Sequence, residues 1–89
     1  MIGVEQIRKA ITESILECSY FPLTENDLKS ETNLTRELSC DSLMYVQIIV
    51  TIEDKLGIEL VDEILDFNVD ITLGEFEKLV IQCVAESEV

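Results

Sequence analysis

Histidine is absent from this 89-residue chain. A Ser-His-Asp triad, an imidazole base working near neutral pH and a histidine metal ligand are therefore excluded. Proline occurs once and glycine three times, too little punctuation for a many-stranded β fold and well suited to helices joined by loops. Cations are scarce too: six Lys and Arg against nineteen Asp and Glu leave a net charge of −13. So acidic a surface repels nucleic acid backbones and anionic membranes, and neither is an expected partner. Basic protein surfaces are the natural counterpart. No apolar run is long enough to span a bilayer, and the N-terminus lacks the unbroken apolar stretch of a signal peptide. Cysteine is sparse, and Cys18, Cys40 and Cys83 leave an odd thiol with no metal-type spacing. A reducing, cytoplasmic location is the expectation. No cation stands beside Cys40 to make it a thiolate nucleophile, and Asp41 next to it opposes ionisation. Nor does any loop alternate Asp and Asn ligands as a calcium site would. An enzyme is not expected.

What the chain does have is apolar content, 47% of its residues. That is ample for one core, and the length suits a single domain over residues 1–89. Charge is uneven along it. From Glu37 onward thirteen acids face only Lys55 and Lys78, whereas the first thirty-six residues hold six acids and four bases.

Apolar spacing predicts a first helix over 4–18, with Val4, Ile7, Ile11, Ile15 and Cys18 on one face. Pro22 disfavours helix at Phe21, and residues 20–40 read as a long connection. Within it Thr24 and Asp27 can cap a short turn, while Leu28 and Leu34 pin the segment to the core. A second helix is predicted from Ser42 to Leu56, with Asp41 as its N-cap and Gly57 at a C-terminal position of positive φ. Val61 to Asp66 reads as a short helix, with Phe67, Val69 and Ile71 as core anchors. Thr72 and Glu75 have the spacing of a capping box for a last helix through about Glu86. Leu73, Phe76, Leu79, Val80, Cys83 and Val84 share one side of it. The expected fold is all-α: a small bundle of three main helices and one short one, with a long loop between the first two.

The helix from Ser42 carries two apolar faces. Tyr45, Ile48, Ile49, Ile52 and Leu56 form a broad one suited to the core. Leu43, Val46 and Val50 form a narrower stripe bordered by Glu53 and Asp54, and Ser42 projects between the two. A bundle helix needs only one apolar face. The second stripe either meets the long loop or a neighbouring helix, or it meets a partner protein.

The stretch from Asn33 through Leu38-Ser39-Cys40-Asp41-Ser42-Leu43, continued by Glu53-Asp54-Lys55-Leu56-Gly57-Ile58, resembles the acyl carrier proteins. The tripeptide Asp-Ser-Leu is weak alone; in register with the later segment, in an acidic chain of this length, it is specific. The resemblance covers essentially the whole chain, including the order of helices. It implies that Ser42 carries a 4′-phosphopantetheine arm, transferred from coenzyme A by a separate phosphopantetheinyl transferase. The arm would hold acyl, polyketide or aminoacyl intermediates as thioesters. It further implies that Asp41 serves transferase and magnesium recognition as well as capping the helix. Leu43, Val46, Val50, Glu53 and Asp54 would meet the acyl- or aminoacyl-loading and elongating enzymes. The carrier is expected to act as a monomer.

Three departures from the family pattern stand out. Ser39-Cys40 replaces a glycine followed by alanine or glycine, leaving Cys40 either a special thiol near the arm or a small residue standing for alanine. Gln47 replaces a common glutamate, and Tyr45 is bulky for its place. These favour a specialised polyketide or nonribosomal-peptide pathway over housekeeping fatty-acid synthesis. The core face either parts to shelter an acyl chain or is packed solid. A different class of function also fits the residues: an unmodified acidic helical adaptor that binds a partner through the Leu43, Val46 and Val50 stripe.

Overall fold

A computed structural model describes residues 2–20, 22–59 and 70–87. The fold is all-α, a small bundle built on three fifteen-residue helices. Helix α1 spans Val4–Cys18. Its N-cap, Gly3, offers no side chain, and the helix is held instead by burying Ile7, Ala10, Ile11, Ser14 and Ile15. Two of these, Ala10 and Ser14, carry no hydrophobic signal in the sequence. Ser14 is tolerated in the core because its hydroxyl donates to the Ala10 carbonyl at 2.6 Å. Val4, by contrast, is 46% exposed and lies off the buried face on which its spacing placed it.

The connection after α1 is more structured than its sequence suggests. Glu25–Asp27 form a 3-10 turn, and the Asp27 carboxylate accepts from the Thr24 amide at 2.9 Å as anticipated. A short helix, α2, then spans Leu34–Leu38, where a loop was expected. Asn33 and Glu37 cap it reciprocally. The Asn33 side chain accepts from the Arg36 amide at 2.8 Å, and the Glu37 carboxylate accepts from the Asn33 amide at 2.6 Å. Leu34 and Leu38, one turn apart, both point into the core.

Helix α3 spans Ser42–Leu56 and buries Met44, Tyr45, Ile48, Ile49 and Ile52. Leu56 is half-buried. Gly57 ends the helix at φ 67°, its amide bonded to the Glu53 carbonyl. Helix α4 spans Leu73–Ser87. The expected capping box is present: the Glu75 carboxylate accepts from the Thr72 amide at 3.0 Å, and the Thr72 hydroxyl accepts from the Glu75 amide at 3.2 Å. The short helix expected over 61–66, with Phe67 and Val69, lies outside the described residues.

Helix α1 packs on both α3 and α4. The shared core includes Ile11, Ile15, Leu34, Leu38, Ile49, Ile52, Phe76 and Val80. Tyr45 meets Phe76 edge to face, with ring centroids 5.7 Å apart. Among the described residues three ion pairs brace the outside, Lys55 to Glu17 at 2.7 Å, Arg8 to Glu77 at 3.3 Å and Arg36 to Asp70 at 3.9 Å. The long connection is fastened to the start of α4 by backbone bonds. Leu34 donates to Ile71 at 2.9 Å, Leu73 to Thr32 at 2.7 Å and Gly74 to Ser30 at 2.9 Å. Gly74 is needed for that approach, since a Cβ there would stand 3.1 Å from the Ser30 carbonyl oxygen. Asn33 and Thr72 form an isolated antiparallel bridge, and the described residues contain no strand. The effect is to tie α2 down, so that the chain leaves it at a fixed point and enters α3.

Candidate functional site

Between α2 and α3 the backbone reverses within four residues. Leu38 is buried; Ser39 then adopts the left-handed conformation, φ 55° and ψ 35°. Both the Ser39 and Cys40 amides bond back to the Leu34 carbonyl, closing α2 with a tight turn. This explains why a glycine suits the position and what the serine there costs: an L side chain in this region is disfavoured by about 1–2 kcal/mol.

Cys40 turns inward and is buried. Its thiol is pushed up to about 11, first by burial, then by the neighbouring Asp41 carboxylate and by Cys18. Of the two readings of Cys40, the structure supports the small core residue.

Asp41 then caps α3 as its spacing predicted, Oδ1 accepting from the Met44 amide at 2.8 Å. A second donor reaches the same carboxylate. The hydroxyl of Tyr20, just past α1, lies 3.1 Å from Oδ1 and 3.4 Å from Oδ2. Sequence reasoning missed this contact. Tyr20 lies in a stretch without periodicity, and nothing local links it to a residue twenty-one positions on.

Ser42 opens the helix and is exposed. The helix ladder uses neither its amide nor that of Leu43, so both point out at the positive end of the helix dipole. Leu43 is 62% exposed and Val50 43%, with Val46 half-buried between them. Glu53 is half-buried and Asp54 exposed at the far end. The structure thus brings all seven residues singled out at this site, Asp41, Ser42, Leu43, Val46, Val50, Glu53 and Asp54, onto α3 and its cap. Among the described residues, neither the loop nor a neighbouring helix buries Leu43 or Val50.

The arrangement has little chemistry of its own. Asp41 is committed to capping. Buried Tyr45 has its phenol pushed up, by burial first and then by the Cys40 and Cys83 thiols, so it holds its proton. Among the described residues no cluster could hold a metal ion, and no helix is long and apolar enough to cross a membrane. Two surface grooves, about 360 and 440 Å³, lie on the side of Arg8, and no residue of α3 lines either. A hydroxyl here can receive a group from another enzyme, and a phosphate on it would meet free amides.

A family model described as the phosphopantetheine attachment site matches residues 9–80, well over half of the chain. No solved structure matches the chain. Domains of this family are the attachment site for covalent 4′-phosphopantetheine. They are typically non-catalytic carriers, served by a phosphopantetheinyl transferase and by biosynthetic enzymes. The exposed helix-start hydroxyl with free amides beside it suits such a group, and the chain belongs to the phosphopantetheine attachment-site family.

Proposed function

We propose that Ser42 is the attachment point and that the domain, occupying residues 1–89, carries acyl, polyketide or aminoacyl intermediates as thioesters on its arm. One observation supports this above others. Within the matched region, an exposed serine opens a capped helix, and an apolar stripe with exposed Leu43 and Val50 and an acidic edge runs along that helix from it. Ser42 would be joined to the arm through a phosphodiester, which the amides at the start of α3 favour electrostatically. The serine needs no base of its own, because the transferase brings the catalysis. Asp41 keeps the helix start in place and faces the transferase and its magnesium.

Leu43, Val46 and Val50 with Glu53 and Asp54 form the docking surface for partner enzymes. A small apolar contact within an acidic rim gives fast, reversible association with basic partners. The bulky Tyr45, the neutral Gln47 and the Ser39-Cys40 pair set the chain apart from housekeeping fatty-acid carriers. They favour a specialised carrier for a polyketide, a nonribosomal peptide or a related pathway. The carrier acts as a monomer in the cytoplasm.

Incubation with coenzyme A, magnesium and a broad-specificity transferase should add one phosphopantetheine per chain, read by intact mass. Ser42→Ala should add none. Modification of that variant, or none of the native chain, refutes the assignment. An adaptor that used only the stripe would keep its partner in the Ser42→Ala variant and lose it in Val50→Asp.

A further inference from the structure

Tyr20 is 56% exposed, so its ring contributes little to the core. Its hydroxyl is used nonetheless. It bridges from the exit of α1 to both oxygens of Asp41, at 3.1 and 3.4 Å, while Oδ1 also accepts from the Met44 amide. A capping carboxylate with one donor can swing about its Cβ; with a second donor on another segment, its rotamer is held from two sides. The phenol is suited to this because it stays protonated. Desolvation, the Asp41 hydrogen bond and the Asp41 charge all raise its pKa above 10.0. The segment carrying it is itself anchored, since the Cys18 sulfur lies 3.6 Å from the Thr51 hydroxyl of α3.

We propose that Tyr20 is a positioning residue for the attachment site, holding Asp41 in its capping rotamer and so fixing the direction in which Ser42 meets the transferase. This rests on Ser42 being the serine modified. Tyr20 acts through Asp41 and takes no part in the transfer itself.

The test is Tyr20→Phe, which removes one oxygen and keeps the ring, compared with Asp41→Ala, which removes the acceptor, and the double variant. In the apo protein, Tyr20→Phe should move the Met44 amide resonance and leave the melting temperature unchanged. With coenzyme A and a broad-specificity transferase, its kcat should fall about three- to tenfold, the worth of one hydrogen bond, with KM for the carrier little changed. In the Asp41→Ala background, which has no side-chain acceptor, the same change should cost nothing further. A native kcat, a loss confined to KM, or an equal loss in the Asp41→Ala background overturns the proposal. If the native chain accepts no arm, the attachment reading is what fails. The Met44 amide of the apo protein then decides the hold on Asp41 alone, and an unmoved resonance in Tyr20→Phe refutes it.

Discussion

Helix α3 presents two apolar faces that differ in what they meet. Ile48, Ile49 and Ile52 are buried in the core that α3 shares with α1, while Leu43 and Val50 on the other side are exposed. Residue type alone does not separate them, as branched aliphatic residues occur on both faces, beside Met44 and Tyr45 on the sealed one. Width and borders do. The sealed face is broad, and neighbouring helices supply its partners; the open one is a single stripe ending in Glu53 and Asp54. Apolar area left exposed forgoes about 25 cal/mol per Å² of stabilisation, and the stripe left open beside the proposed attachment serine is the surface proposed above for intermittent cover by partner enzymes.

Breaking the sealed face should have the largest effect. Ile48→Ala should cost about 2–5 kcal/mol of stability, as large-to-small core changes do, and be seen as a lower urea midpoint. Alkaline titration probes the buried side of the turn that leads into α3 without a mutation. The Cys40 thiol ionises near 9.0 when unfolded and is pushed up to about 11 when folded. The folded state therefore keeps a proton that the unfolded chain gives up. The stability this group contributes is complete below pH 9 and is lost as pH climbs toward 11. Cys40→Ala should flatten that part of the pH–stability curve; a curve of unchanged slope would deny the thiol this role.

The open face should respond in the opposite way. Val50→Asp should leave stability within about 0.5 kcal/mol, as exposed substitutions do, yet cut turnover by partner enzymes acting on the loaded carrier. Equal loss of stability and turnover would mean that the stripe is structural. Charge reversal at Glu53 and Asp54 to lysine should slow association and weaken its salt dependence with little change in dissociation, measured by stopped flow. The smallest effect concerns the turn at which the two faces begin. Ser39→Gly should stabilise the fold by up to about 1 kcal/mol by relieving a left-handed L residue. A destabilised variant would show that the serine side chain makes up for its backbone.

The long helices were legible because each repeats an apolar residue often enough to fix a period. Their caps were legible from Asp41, Gly57 and the Thr72–Glu75 pair. Helix α2 was not. Five residues give only Leu34 and Leu38 as signal, and Asn33 with Glu37, the pair that starts it, read as loop. It also leans on backbone bonds to residues 71–73, which no local pattern announces. Met44 was missed because it sits at the edge of the projected core face. Ala10 and Ser14 escaped because burial there depends on how closely helices approach, and hydropathy does not record that. At the site, Asp41, Ser42 and the stripe could be found because their roles follow from position on one helix. Tyr20 could not, since its role depends on where the chain brings α1 past the start of α3.

A thioester is exposed to any thiolate within reach, because an acyl group passes readily from one sulfur to another. Cys40 lies only two positions before the proposed attachment serine. Were it exposed and ionised, it would be a trap for cargo returning to the surface on its arm. Its sulfur instead faces the core, 3.6 Å from the Asp41 carbonyl oxygen, with its ionisation held near 11. At neutral pH it remains a thiol out of reach, so on the proposed function the buried side of the turn would leave the acyl group on the sulfur of the arm.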